Sequence, residues 1–141
     1  MKRGQINKPK MKKIIHSIYF PILILGFLFS ITSCEEVVPD RDKFLGAFFV
    51  DETCDSGNDT YDITIIVSGS GENAVILANL YDWDEQASAT VSGNTITIPS
   101  QLLDGITFSG SGTITDNILT INFSVSDGSN SDNCNAICTR K

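Results

Sequence analysis

Histidine and basic residues are scarce in most of this sequence of 141 residues. Beyond residue 33 the chain has no histidine and only four basic residues, against 17 acidic ones. The absence of histidine there excludes a histidine-based catalytic triad and a histidine-ligated metal site. The net charge of -13 over these 108 residues excludes electrostatic binding to nucleic acid. A chain of this length predicts one domain with a modest hydrophobic core.

Acidic residues are absent before Glu35, and the N-terminus instead has six basic residues followed by an apolar run from Ile18 to Ile31. This order, with small residues after the apolar run, is typical of a secretory signal peptide, which we predict over residues 1–33. The alternative is an uncleaved transmembrane anchor, but the run is short for a bilayer span. Either Met1 or Met11 is the translation start.

The predicted signal peptide ends in Ile31-Thr32-Ser33-Cys34, which resembles the lipobox of bacterial lipoproteins. In that family the thiol of the cysteine is joined to a diacylglycerol, and the chain is cut just before the cysteine. The resemblance implies that Cys34 is lipidated and that the membrane is a partner through this diacylglycerol. Acyl chains stabilise membrane attachment by about 0.8 kcal/mol per buried CH₂, so such an anchor would hold the domain firmly.

We predict an acidic tether over residues 34–43, between this anchor and the first strand. Glu35 and Glu36 directly follow Cys34, which resembles the export signal of surface lipoproteins of the Bacteroidota. That resemblance implies an outer-membrane location with display at the cell surface. An ordinary acidic linker that is repelled by anionic headgroups is the alternative, so the membrane leaflet stays open.

From Phe44 onward, apolar and polar residues alternate with a period of two, which is typical of half-buried strands. Turn signals such as Gly93-Asn94 and Asp116-Asn117 separate the alternating runs. The predicted strands cover residues 44–53, 60–68, 74–81, 86–92, 95–99, 106–114, 118–126 and 134–140. Eight strands with short connections predict an all-β domain over residues 44–141, either an antiparallel eight-stranded up-and-down barrel or a barrel-like sandwich.

Two glycines in the sixth predicted strand favour closure into a barrel. Gly110 and Gly112 share the inward parity of Phe108. Inward glycines let a strand bend and make room for a large side chain on the facing strand. Pro99 is expected to end the strand before it, with a break up to Gly105.

Four sequence segments of the domain resemble segments of small lipocalin-like lipoproteins of the Bacteroidota. They are Phe44 to Phe48, Glu52 to Cys54, Val91 to Gln101 and Gly105 to Ile114. The first segment also resembles the opening F-x-G-x-W element of lipocalin-like barrels, with Phe48 in place of the tryptophan. The resemblance implies a lipocalin-like fold and an envelope location, and it implies no ligand.

Three cysteines remain if Cys34 is lipidated. Cys54 ends the first predicted strand and Cys134 begins the last, and these strands are neighbours in a closed meander. In an oxidising compartment this arrangement predicts a Cys54–Cys134 disulfide with Cys138 in the core, and Cys54–Cys138 is the alternative pairing. A three-cysteine metal site would lack a fourth soft ligand, so we predict neither a metal nor a cofactor.

Acidic residues form three clusters, which are Asp51, Glu52, Asp55 and Asp59; Asp82, Asp84 and Glu85; and Asp127 and Asp132. The clusters could hold a hard cation, but none has the spacing of a calcium-binding loop, so we interpret all three as solvated turns. Carboxylate pairs are expected by chance in so acidic a domain, and a serine or threonine nucleophile would have no histidine base. We therefore predict no enzymatic activity.

Tyr81 and Trp83 lie among carboxylates between the third and fourth predicted strands. Aromatic residues at a loop tip suit contact with a sugar or a protein, and the alternative is that Trp83 plugs one end of the barrel. We predict a membrane-anchored, non-enzymatic binding or accessory module for an unknown small-molecule, glycan or protein ligand. The alternative is a structural or protein-interaction protein of the envelope, with a packed barrel and no small-molecule ligand.

Overall fold

Eight strands follow one another around a closed antiparallel barrel in the computed structural model, which describes residues 38–141. The strands are β1 (Gly46–Cys54), β2 (Gly57–Val67), β3 (Ala74–Ala78), β4 (Gln86–Ser92), β5 (Thr95–Leu103), β6 (Ile106–Thr115), β7 (Ile118–Ser126) and β8 (Ser131–Arg140). Short 3₁₀-helices occupy Asp40–Lys43 and Leu80–Asp82. The all-β fold class is confirmed, and pairing of β8 with β1 makes the domain a barrel and not a sandwich.

The predicted end of the fifth strand at Pro99 is wrong, because β5 continues to Leu103. The register between β5 and β6 shifts between Ile98 and Gln101, which marks a β-bulge. Proline has no N–H to donate to the ladder, and a bulge lets the strand resume pairing beyond it.

The inward-facing side chains fill the barrel with apolar groups. Phe48, Ile63, Leu119 and Ile121 are at most 1% exposed, and they belong to one continuous core cluster. Phe44, which precedes β1, is also fully buried in that cluster. Eight-stranded barrels are just wide enough for side chains to fill them, and this one is filled.

Strands β6 and β7 approach closely at the two inward glycines. A Cβ on Gly112 would lie 2.5 Å from the carbonyl oxygen of Thr120. A Cβ on Gly110 would lie 2.6 Å from the Cβ of Phe123 and 2.6 Å from the carbonyl oxygen of Asn122. The room that the glycines leave is thus occupied by β7, including the large side chain of Phe123.

Alternate connections of an up-and-down barrel meet at the same end. The β1–β2, β3–β4, β5–β6 and β7–β8 connections form one end, which we call the mouth, and the other end, with the first 3₁₀-helix and the C-terminus, is the base. The basic residues of the described part all lie at the base: Arg41, Lys43, Arg140 and Lys141. Charged residues in the mouth connections are all acidic.

Part of the predicted acidic tether is folded against the base. Within the first 3₁₀-helix, the side chain of Asp40 accepts a hydrogen bond from the backbone N–H of Gly93 at 2.7 Å. This bond, together with Lys43, lowers the pKa of Asp40. Arg41 donates to the carbonyl oxygen of Gly71 at 3.2 Å. The 3₁₀-helix is therefore docked on the β2–β3 and β4–β5 connections.

The predicted signal peptide and the predicted lipidation site, Cys34, lie outside the described residues. Within residues 38–141, no helix combines the length and the apolar character needed to cross a bilayer.

Candidate binding site at the barrel mouth

An open depression with a volume of about 650 Å³ lies at the mouth. Its aromatic wall consists of Tyr81 and Trp83. Four carboxylates also line it: Asp55, Asp82, Asp127 and Asp132. Since the barrel beneath is packed, the depression is a feature of the surface and not a lumen. Tyr81 and Trp83, for which a contact with a ligand was one of two interpretations, lie here beside carboxylates from three connections.

Tyr81 and Trp83 both cover the core and face the depression. Trp83 stacks on Phe108 with ring centroids 5.4 Å apart. Tyr81 meets Phe108 and Phe123 edge-on, at centroid distances of 6.3 Å and 6.2 Å. Both side chains are half-buried. Trp83 therefore packs on the core, as the plug interpretation predicts, and its role as a contact residue stays a prediction.

The segment that carries these aromatic residues has an unusual backbone. The predicted third strand ends at Ala78, not at residue 81, because Asn79 takes a left-handed conformation with φ of 67°. Tyr81 and Asp82 also have positive φ, at 68° and 46°. Asparagine and aspartate tolerate this region, whereas a bulky tyrosine adopts it only when its surroundings hold it there.

Hydrogen bonds hold Tyr81 at both of its ends. Its backbone N–H donates to the hydroxyl of Tyr61 at 2.8 Å, and its own hydroxyl donates to Asp132 at 2.9 Å. Asp132 also accepts bonds from the backbone N–H of Ser56, at 3.1 Å, and from the Ser56 hydroxyl. The Ser56 hydroxyl and Tyr81 lower the pKa of Asp132. The aromatic wall is therefore fixed before any ligand arrives, which reduces the entropy cost of binding.

A buried carboxyl group lies beneath this network. Glu52 is 3% exposed, and one of its oxygens accepts a hydrogen bond from the hydroxyl of Tyr61. Its other oxygen lies 3.2 Å from Sγ of Cys54. Burial raises the pKa of Glu52, and neighbouring carboxylates add to the rise. The interpretation of Glu52 as part of a solvated turn is therefore wrong, because it shares the inward parity of Phe48 and Val50.

The shifted pKa values give opposite pH dependences of stability. The pKa of Glu52 is raised in the folded state. Its contribution to the free energy of unfolding is therefore complete below the ordinary pKa of 4.5 and is lost as pH rises through the raised value. For Asp127 and Asp132 the folded-state pKa is lowered, so their contributions are lost as pH falls through the lowered values. The contributions of these three groups are therefore complete together only between the ordinary pKa values of 3.8 and 4.5.

The predicted Cys54–Cys134 disulfide is confirmed. The two cysteines are directly opposite each other on β1 and β8, with Cα atoms 4.0 Å apart. Cys138 is free and fully buried, so the alternative Cys54–Cys138 pairing is wrong. Burial raises the pKa of the Cys138 thiol to about 12, which keeps it protonated.

Metal-ligand atoms meet at one place within residues 38–141, where a Glu52 oxygen and the sulfurs of Cys54 and Cys134 lie within 4.8 Å of one another. The two sulfurs are joined to each other and provide no thiolate for a metal. The carboxylate of Asp127 accepts two backbone N–H groups of its own turn, as expected for a solvated turn.

Comparison of the chain with protein-family models, with curated proteins and with solved structures finds no match. The barrel agrees with a lipocalin-like architecture, while lipidation and an origin in the Bacteroidota stay predictions.

Proposed function

We propose that this protein is a lipid-anchored envelope protein that binds a ligand at its mouth and does not chemically convert it. The observation that carries the proposal is the open depression of about 650 Å³, in which aromatic and carboxylate side chains converge. A ligand would bind there and not inside the barrel, because the interior is filled by core side chains.

The chemistry of the depression restricts the ligand. Ionised carboxylates only accept hydrogen bonds, so the groups that meet them must be donors such as hydroxyls or cations. The rings of Tyr81 and Trp83 suit the apolar face of a sugar or a cationic side chain. No basic residue lies in the mouth connections to attract an anion. A glycan or a basic peptide therefore fits better than a fatty acid or a phosphorylated ligand.

The proposed anchor would orient the depression away from the membrane. The described chain enters the barrel at its base, and Cys34 lies four residues before the first described residue, Val38. Four residues span at most about 14 Å when extended. Diacylglycerol on Cys34 would hold the base near the bilayer and leave the mouth open to the medium.

Trp83 offers a direct test of ligand binding, because it is the only tryptophan of the chain. We expect its fluorescence to change saturably on titration with neutral oligosaccharides or with a lysine-rich peptide. Tyr81→Ala should weaken this binding by up to about tenfold, since a lost aromatic contact costs roughly 0.5–1.5 kcal/mol. Phe49→Ala, which removes an exposed ring from β1, is the control. A response to fatty acid alone, or equal weakening by Phe49→Ala, would contradict the proposal.

The anchor is tested by Cys34→Ser in the full chain. We expect the native protein to sediment with membranes and the variant to move to the soluble fraction, because the acyl chains supply the attachment. Cys138→Ala is the control and should sediment as the native protein does. Protease treatment of intact cells, followed by mass analysis of the N-terminal remnant, shows which leaflet carries the protein. Membrane sedimentation of Cys34→Ser at the native level would refute the anchor.

One observation favours the alternative function, a protein-interaction role without a small ligand. Phe49, Ile118 and Ile137 are 45–48% exposed on the adjacent strands β1, β7 and β8. Exposed apolar groups on one sheet face can mark a protein contact. If that is the role, Phe49→Ser should abolish association with a partner and leave Trp83 fluorescence titrations unchanged.

A further inference from the structure

The disulfide and the buried carboxyl group form a second chemical site, separate from the aromatic wall. One oxygen of Glu52 lies 3.2 Å from Sγ of Cys54, and Sγ of Cys134 also lies within 4.8 Å of a Glu52 oxygen. In the disulfide Cys54 has no proton to donate. A hydrogen bond between these atoms therefore requires the proton to be on the carboxyl group of Glu52.

Solvent can reach this site from outside the barrel. Cys54 is half-buried, whereas Cys134 is 5% exposed. A second open depression, of about 530 Å³, lies against the disulfide, and both cysteines are among its lining residues. The other residues that line it are mostly polar, for example Ser124 and Asn135. Both cysteines border this depression, and Cys54 is the more exposed of the two, so we place the approach of an external thiol at Cys54.

The core does not need a carboxyl group at position 52. Burying an ionisable group costs stability, and an apolar residue of similar size would pack there without that cost. Glu52 is instead held in place by the hydroxyl of Tyr61, with its second oxygen directed at the disulfide. A carboxyl group with a raised pKa beside a bond that releases a thiolate has the properties of a general acid.

We propose that Cys54–Cys134 is a redox-active disulfide and that Glu52 is the residue that gives and takes its proton. The thiolate of a dithiol reductant attacks Sγ of Cys54, and the bond between the two cysteines breaks. The electron pair passes to Sγ of Cys134, which lies within 4.8 Å of a Glu52 oxygen and takes the proton of Glu52 as the two sulfurs separate. Glu52 regains a proton from solvent. The second thiolate of the reductant then attacks the mixed disulfide and releases Cys54, which is protonated from solvent. Two protein thiols form, and the dithiol is oxidised to its own disulfide.

The reverse reaction uses the same groups. The carboxylate of Glu52 removes the proton of the Cys134 thiol, and the resulting thiolate attacks a mixed disulfide at Cys54. The titratable groups that face Glu52 are Tyr61 on β2 and Cys138 on β8, both of which have a raised pKa and stay protonated. The carboxylates of Asp59, Asp82 and Asp132 act from a greater distance and raise the pKa of Glu52. The proposed redox role requires no ligand at the mouth, although Tyr61 links Glu52 to the backbone of Tyr81.

The test is the rate at which dithiothreitol reduces the folded, full-length protein between pH 5 and pH 9. Free thiols are trapped by alkylation and counted by mass spectrometry, and each rate is divided by the concentration of dithiothreitol thiolate. We expect the corrected rate of the native protein to fall as pH rises through the pKa of Glu52. Glu52→Gln should be at least about tenfold slower at low pH and should show no such inflection.

Asp59→Asn is the matched control, because it removes a nearby carboxylate that does not touch the disulfide. Its corrected rate at the lowest pH should equal the native one, and its inflection should move only to lower pH, because Asp59 raises the pKa of Glu52. Urea unfolding at pH 5 and pH 8 checks that Glu52→Gln is folded and that its stability no longer falls toward high pH.

If Glu52→Gln does not fold, Tyr61→Phe is the second variant. It keeps the carboxyl group of Glu52 and should shift the inflection along the pH axis. Equal corrected rates and equal profiles for the native protein and Glu52→Gln, or an inflection that Tyr61→Phe leaves unmoved, would overturn the proposal. Trp83 titrations report the mouth separately.

Discussion

Replacing both Cys54 and Cys134 by alanine is expected to lower the free energy of unfolding by about 4 kcal/mol. The disulfide joins residues 80 positions apart, so it restricts most of the unfolded domain. It also connects β1 to β8, the pair that closes the barrel, at the mouth end of both strands. Urea unfolding of the double variant and the native protein, both monitored by circular dichroism, measures the difference.

Cys138→Ala is the control for this experiment. Cys138 is fully buried and unpaired, so its replacement removes one sulfur atom from the core and no cross-link. We expect a loss of about 1 kcal/mol from the small cavity. If the double variant loses no more stability than Cys138→Ala does, the closure of the barrel does not depend on the disulfide.

Gly112→Ala is expected to lower the free energy of unfolding by about 3 kcal/mol, or to prevent folding. The added Cβ would lie 2.5 Å from the carbonyl oxygen of Thr120 and 3.1 Å from Cα of Ile121. Both are backbone atoms of β7, so the collision cannot be relieved by a side-chain rotation. The two strands would have to separate and break part of their ladder. Thermal and urea unfolding of the purified variant measure the loss.

Gly69→Ala is the matched glycine control. No atom lies within 4 Å of the position its Cβ would take, and its φ is outside the left-handed region. Its replacement should therefore leave stability unchanged or raise it by a few tenths of a kcal/mol through the unfolded state. Comparable losses of stability in Gly112→Ala and Gly69→Ala would show that the close contact of β6 with β7 does not cause the destabilisation.

The strands could be predicted from the sequence because each is defined by a local alternation of apolar and polar residues. Closure could not be decided in this way, since it depends on the pairing of β1 with β8, which are distant in the chain. The bulge after Ile98 was missed for a related reason. Proline normally ends a strand, and only the neighbouring β6 shows that pairing resumes at Gln101.

The candidate site was predictable only in part. Tyr81 and Trp83 are conspicuous in the sequence because Asp82 lies between them and Asp84 and Glu85 follow. The contact of Tyr81 with Asp132 joins residues 51 positions apart, and no local pattern reports it. Glu52 is different. Its inward parity with Val50 and Cys54 indicates burial, whereas its acidic neighbours in the sequence indicate a solvated turn, and the parity is the better guide.

The uneven placement of charge between base and mouth gives the domain a permanent electric dipole. The four basic side chains lie at one end, and the connections at the other end carry only negative charge. Above a bilayer with anionic lipids, the surface field exerts a torque that turns the negative pole outward and decays within a Debye length. If Cys34 carries the proposed lipid, this torque would help to keep the aromatic wall facing the medium.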